Sequence, residues 1–123
     1  MDIEKYWDAV IKQNKEQIAE FFHNNAYIRW HNTNEHFSVA EFVTANCEYP
    51  GQWEGSIKRV ERIDNLIITV TRVWTKDSGL SFHVVSFIKI QDDKIISIDE
   101  YWGDDGESPQ WRNDLNIGNK INK

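Results

Sequence analysis

The run DDKIISIDEYWG, Asp92 to Gly103, opens on two aspartates and then alternates strictly. Ile96, Ile98, Glu100 and Trp102 fall on one face, and Ile95, Ser97, Asp99 and Tyr101 on the other. A period of two is the mark of a strand, and an Asp-Asp pair suits the turn of a hairpin. Working back toward the N-terminus, three more such runs appear: Trp53 to Ile63, Leu66 to Thr75 and Leu80 to Ile90. Asp64-Asn65 and Lys76-Asp77-Ser78-Gly79 separate them, so the second half of the chain reads as an antiparallel meander. In the third run Leu80, Phe82, Val84, Ser86, Ile88 and Ile90 form a nearly apolar face, opposite Ser81, His83, Lys89 and Gln91. In the second, Leu66, Ile68 and Val70 lead on one face to Arg72 and Trp74, against Thr69, Thr71 and Thr75 on the other.

The first half is helical in pattern. Ile3, Trp7, Val10 and Ile11 recur at helical spacing behind a capping Asp2. Lys15 to Phe22 continues as a second short helix, with Asn24-Asn25 as its stop, and Ala26 to Trp30 alternates as a strand. In FSVAEF, Ser38 and Glu41 make a capping box and Phe37 and Phe42 a hydrophobic staple. A helix therefore starts at Val39 and stops before Pro50. Helices first and consecutive strands afterwards predict an α+β fold, with three N-terminal helices on one face of a bent sheet. A chain of 123 residues suits one domain, assigned to 1–112, and the Asn- and Lys-rich stretch 113–123 is expected to fray.

Charge and composition exclude several roles. The net charge is −6 and Lys and Arg form no block, which argues against nucleic acid and anionic membrane as partners. Cys47 is the sole cysteine, so no internal disulfide is expected, and the charged first residues lack a signal-peptide pattern; both predict a cytoplasmic protein. No phosphate-binding Gly-rich loop or G-x-S-x-G elbow occurs, and no cofactor is expected. Six Trp, six Phe and four Tyr are more ring area than a core of this size needs, which points to a ring-lined cavity.

The candidate site follows from the inner faces. Arg72 with Trp74, and Glu100 with Trp102, each set a charge beside an indole, and a buried charge needs a partner. Glu100 has two readings: an acid/base whose pKa is raised by aromatic burial, with Arg72 stabilising negative charge on an oxygen, or a structural ion pair with Arg72 that lowers that pKa. Trp30, Trp74 and Trp102 suit stacking on a flat apolar ligand or simple core filling, and Ser86 lies on the same inner face. Tyr6 offers a hydroxyl to the cavity, or else is an exposed amphipathic ring. Trp53 and Trp111 are expected to close the mouth or a dimer seam. His31, Glu35 and His36 are metal-ligand types without a shared helical face, Asp104, Asp105 and Glu107 lack the alternate-position calcium pattern, and no metal site is expected. His83 falls on the outer face, and Cys47 reads as an inert buried thiol.

From about Ile3 to Arg112 the chain resembles the nuclear transport factor 2-like superfamily, SnoaL-like branch. The resemblance rests on the order of elements, on FFHNNAYIRWHNTNEHFSVAEFV (Phe21 to Val43) and on the closing DDKIISIDEYWG. It implies a cone-shaped barrel of strongly bent, mainly antiparallel sheet, with the helices on its concave face and a deep pocket between. It also implies a homodimer through the sheet and a small apolar or aromatic molecule as ligand. The acid and base positions of ketosteroid isomerases match Trp30 and Ser86 here, which argues against that chemistry. The acid/base carboxylate of SnoaL-like cyclases matches Glu100, as glutamate instead of aspartate, and a shift of one residue would select Asp99. Lyase, isomerase or cyclase chemistry and a non-catalytic binding or assembly domain both remain open.

Overall fold

The computed structural model describes residues 1–77 and 79–122; Ser78, in the expected turn 76–79, and Lys123, at the end of the expected tail, lie outside the described residues. Helices α1 (Ile3–Ile11) and α2 (Lys15–Glu20) lead into strands β1 (Phe22–Trp30) and β2 (Glu35–Ser38), followed by α3 (Val39–Glu48). The meander is β3 (Trp53–Ile63), β4 (Leu66–Thr75), β5 (Ser81–Gln91) and β6 (Lys94–Asp104), and a short α4 (Gln110–Asp114) ends it. The fold is α+β, with one six-stranded sheet in the order β2-β1-β6-β5-β4-β3. β1 runs parallel to β6 and every other pairing is antiparallel. The sheet is open and does not close into a barrel, so β2 and β3 are its edges.

Local chemistry accounts for most boundaries. Asp2 accepts hydrogen bonds from the Glu4 and Lys5 amides, starting α1. Ser38 and Glu41 form the reciprocal capping box of α3, and Tyr49, held extended before Pro50, ends that helix. Asp64, Asp92 and Asp93 take the left-handed conformation that two-residue hairpin turns require. Phe37 and Phe42, the expected staple, both pack edge-on against Trp30.

Three boundaries depart from expectation. β1 begins at Phe22, not Ala26, and the Asn24-Asn25 pair lies within the strand, at a break in its register with β6, where both side chains reach solvent. Residues 35–38, for which no strand was expected, pair with β1 through a turn in which Asn34 adopts φ 56°. α4 forms where only a frayed tail was expected to begin, and none of its residues is buried. In β6 the pairs Ile90–Ile95 and Lys89–Ser97 leave Ile96 as an extra residue, so Ile95 is buried and Ile96 only partly so. The alternation resumes inward at Ile98.

The core lies between the helices and one face of the sheet: Ile18, Ile28, Val84, Ile88, Ile95 and Ile98 are fully buried, with Tyr6 and Trp7 from α1 and Phe42 from α3 closing over them. No described helix is long and apolar enough to cross a membrane.

Candidate functional site

Strand register sets the site in rows, because residues directly opposite each other across a sheet point to the same side. The first row runs Trp30, Glu100, Ser86 and Thr69 across β1, β6, β5 and β4. Its polar atoms satisfy one another. Trp30 Nε1 donates to Glu100 Oε1 at 3.0 Å, Ser86 Oγ to Glu100 Oε2 at 2.5 Å, and Trp7 Nε1 of α1 to Thr69 Oγ1 at 3.1 Å. The next row holds Trp102, Val84 and Thr71, and a third, at the sheet's end, Asp104, Phe82, Val73 and Gly55.

Above the outer two rows is a cavity of about 580 Å³. α1 contributes Trp7, Val10 and Ile11 to its wall, α3 and its end contribute Ala45, Asn46 and Tyr49, and the sheet contributes Trp30, Trp53, Val73, Phe82, Trp102, Gly103 and Asp104. Gln13, Asn32 and Thr33 complete it. Its rings make a continuous belt across the strands: Tyr49 to Trp53 at 5.0 Å between centroids, Trp53 to Phe82 at 6.1 Å, Phe82 to Trp102 at 6.2 Å, and Trp102 to Trp30 at 6.1 Å. Asn32 pins the loop after β1 by accepting from the Trp102 amide and donating to the Trp102 carbonyl. Gln13 donates to the carbonyls of Asn46 and Tyr49, tying α1 to the end of α3.

Glu100 is 2% exposed and is not part of the cavity wall; it lies behind Trp30 and Trp102, which are. Burial raises its carboxyl from the ordinary 4.5 to about 7, against the opposing pull of the Ser86, Trp30 and Trp102 donors, which favour the carboxylate. Among the described residues the Trp102 indole N–H is itself buried without a hydrogen-bond partner of good geometry. Tyr6 is 1% exposed and packs edge-on with Trp7, Phe21 and Phe22, so it is neither an exposed ring nor on the cavity wall. Burial, with the nearby charge of Glu100, holds its phenol well above the usual range and keeps it neutral.

Of the seven expected site residues, the structure brings Trp30, Ser86, Glu100 and Trp102 together, sets Tyr6 in the core beside them, and separates Arg72 and Trp74 from the rest. The face assigned to β4 is corrected: Ile67, Thr69, Thr71, Val73 and Thr75 are the buried set. Arg72 and Trp74 therefore lie on the outer side, and no Arg72–Glu100 pair forms. Arg72 stacks over Trp74 at 4.5 Å from its centroid, donates to Ser81 Oγ and approaches Asp105 at 3.7 Å. Trp74 donates to Glu54 Oε2. An outward β4 guanidinium keeps its water, whereas the threonines lose little on burial because most find partners: Thr69 accepts from Trp7 and Thr75 from the Leu80 amide. The other histidines and acids make surface contacts. His31 bonds Asp99 and stacks on Tyr101, His36 accepts from Arg29, and His83 bonds Asp105. Among the described residues no group of His, Cys, Asp and Glu is arranged to hold a metal. Trp53 lies at the cavity as expected, while Trp111 is 60% exposed on α4. Trp7, Phe82 and Tyr49 were not singled out from sequence; alternation already placed Phe82 inward, and helical spacing placed Trp7, but nothing local marks Tyr49.

No protein-family model matches this sequence, and no curated protein matches it. Solved structures do. A ketosteroid isomerase candidate from Kribbella flavida superposes with a TM-score of 0.80 at 20% identity, covering 98% of this chain and 88% of its own. A nuclear transport factor 2-like protein of unknown function from Burkholderia xenovorans gives 0.77 at 18%, covering 96% and 91%. A SnoaL-like polyketide cyclase candidate from Shewanella putrefaciens gives 0.68 at 11%, covering 81% and 79%. At these identities the likeness is one of fold: the chain has the nuclear transport factor 2-like fold, shared with SnoaL-like and ketosteroid isomerase-like structures.

Proposed function

We propose that the protein binds a small molecule with a flat, apolar body in the ring-lined cavity, Trp30 and Trp102 being two of its contacts. The observation that carries this reading is the belt of five rings facing empty space of about 580 Å³ between sheet and helices. Rings that merely filled a core would meet one another with no such volume left between them. The size and the mix of apolar wall with a few amide groups suit a compact organic ligand.

A second reading concerns Glu100. A carboxyl held near pH 7, directly behind two cavity indoles, is poised to give or take a proton from a bound ligand once Trp30 or Trp102 turns aside. On this reading Glu100 is the acid/base and Ser86 and Trp30 orient it. Arg72, on the outer face, takes no part.

Both are tested by one experiment. Tryptophan fluorescence is followed during titration with a panel of flat ketones, amines and acids, and the ligands that bind are then incubated in D2O and watched by NMR for exchange at an acidic C–H. Saturable quenching is expected for at least one member of the panel, and no response from any member would end the binding reading. Exchange that disappears in Glu100→Gln supports the acid/base role; exchange at the same rate in that variant removes it.

A further inference from the structure

Resting on the reading of the cavity as a ligand site, the geometry points to an organic cation as the ligand: an amine or quaternary ammonium on a flat apolar body. Among the described residues the wall carries one carboxylate, Asp104, and no lysine, arginine or histidine. Asp104 follows Trp102 by two residues on β6 and pairs with Phe82, so register turns it to the cavity side. Its neighbour Asp105 turns to the outer face and is occupied there by Ser81, His83 and Arg72. Among the described residues the Asp104 carboxylate has no hydrogen-bond or ion-pair partner of its own, and it is exposed at the mouth.

The rings below it add to the same preference. An aromatic face carries the negative side of the ring quadrupole, and indole is the strongest such face for a cation. Trp30 donates its N–H to Glu100, which moves electron density into the ring and makes its face more attractive still. The protein already shows the contact elsewhere, with Arg72 over Trp74, Arg29 over Tyr27 and Arg112 over Trp111. None of those rings belongs to the cavity, whose own rings have no protein cation over them among the described residues. An ammonium seated between Asp104 and the Trp102 and Trp53 rings, with its body in the ring belt, meets the Asp104 carboxylate on one side and ring faces on another. An anion there meets Asp104, the ring faces and a net charge of −6.

The test uses three probes of similar shape on the full chain at fixed pH and salt: phenethyltrimethylammonium, 4-phenyl-2-butanone and 3-phenylpropionate. Tryptophan quenching is expected to give a dissociation constant about tenfold lower for the cation than for the neutral ketone, with the anion weakest. Asp104→Asn, at an exposed position, is expected to narrow the cation-over-ketone ratio severalfold. A ketone or carboxylate that binds as tightly as the cation overturns the cation assignment and leaves the cavity reading in place. An unchanged ratio in Asp104→Asn overturns the part given to that carboxylate. Failure of all three probes to quench overturns both the assignment and the reading it rests on.

Discussion

Glu100 shows how much a single buried carboxyl depends on the neighbours it is given. With an arginine beside it, its pKa would fall and removing it would strand a charge; with low-dielectric surroundings and only neutral donors to favour the carboxylate, burial wins and its pKa rises to about 7. The sign of its linkage follows. A folded value above the unfolded one means that the folded state holds the proton more firmly, so the stability it contributes is fully present below about pH 4.5 and is lost as pH rises through about 7. The shift amounts to roughly 3 kcal/mol across that window. In Glu100→Gln the amide oxygen can accept from Trp30 and the amide nitrogen can donate to Ser86 Oγ, with no charge to bury. Urea denaturation should therefore find Glu100→Gln more stable than the parent at pH 8, with the advantage shrinking or reversing near pH 4. A difference that stays constant between those pH values would show that the carboxyl is not perturbed. The same substitution in an Arg72–Glu100 pair would have been destabilising throughout.

At the scale of elements, β4 and β3 decide where α1 can lie. β4 has mixed faces, Leu66, Ile68 and Val70 on one side and Ile67 and Val73 among threonines on the other, so alternation alone does not say which turns inward. Burial of the threonine side keeps Arg72 hydrated and leaves the inner surface low enough for a cavity. Gly55 of β3 serves the same end: it sits opposite Val73, and Ile11 at the end of α1 fills the space its missing side chain leaves. A Cβ there would lie 2.4 Å from Ile11 Cδ1, 2.9 Å from Ile11 Cγ1 and 3.2 Å from the Arg72 carbonyl oxygen. Gly55→Ala should cost about 1 to 3 kcal/mol in chemical denaturation, and Ile11→Ala in that background should return part of the loss. Full stability of Gly55→Ala alone would mean that α1 does not rest on β3 as described. The legible elements were those written in adjacent residues, such as the Ser38–Glu41 box, the stop before Pro50 and the aspartate turns. Those that escaped, the bulge at Ile96 and the register break at Asn24-Asn25, depend on what the partner strand does.

At the scale of the whole molecule, the sheet has one face under helices and one open to solvent. Phe87 and Tyr101 stand edge-on to each other at 6.0 Å on the open face, with His31 stacked on Tyr101 at 4.5 Å, and both are more than a third exposed. If the homodimer expected from the resemblance forms through the sheet, this patch is where its seam would lie. Sedimentation equilibrium should give the dimer mass for the parent and the monomer mass for the double variant Phe87→Lys and Tyr101→Lys; a parent that is monomeric across the concentration range would remove the proposal. By itself the sequence determined the α+β class, the meander, the helix caps and the inward position of Glu100, Trp102 and Ser86, because periodicity and capping are set by residues a few positions apart. Only the tertiary structure decided that Arg72 faces out, that Glu100 is satisfied by Trp30 and Ser86, and that Asp104 stands at the mouth of a ring-lined cavity. Each of those depends on which of two faces is buried against groups far away in the chain, and that choice rests on the summed desolvation and packing of every element that meets there.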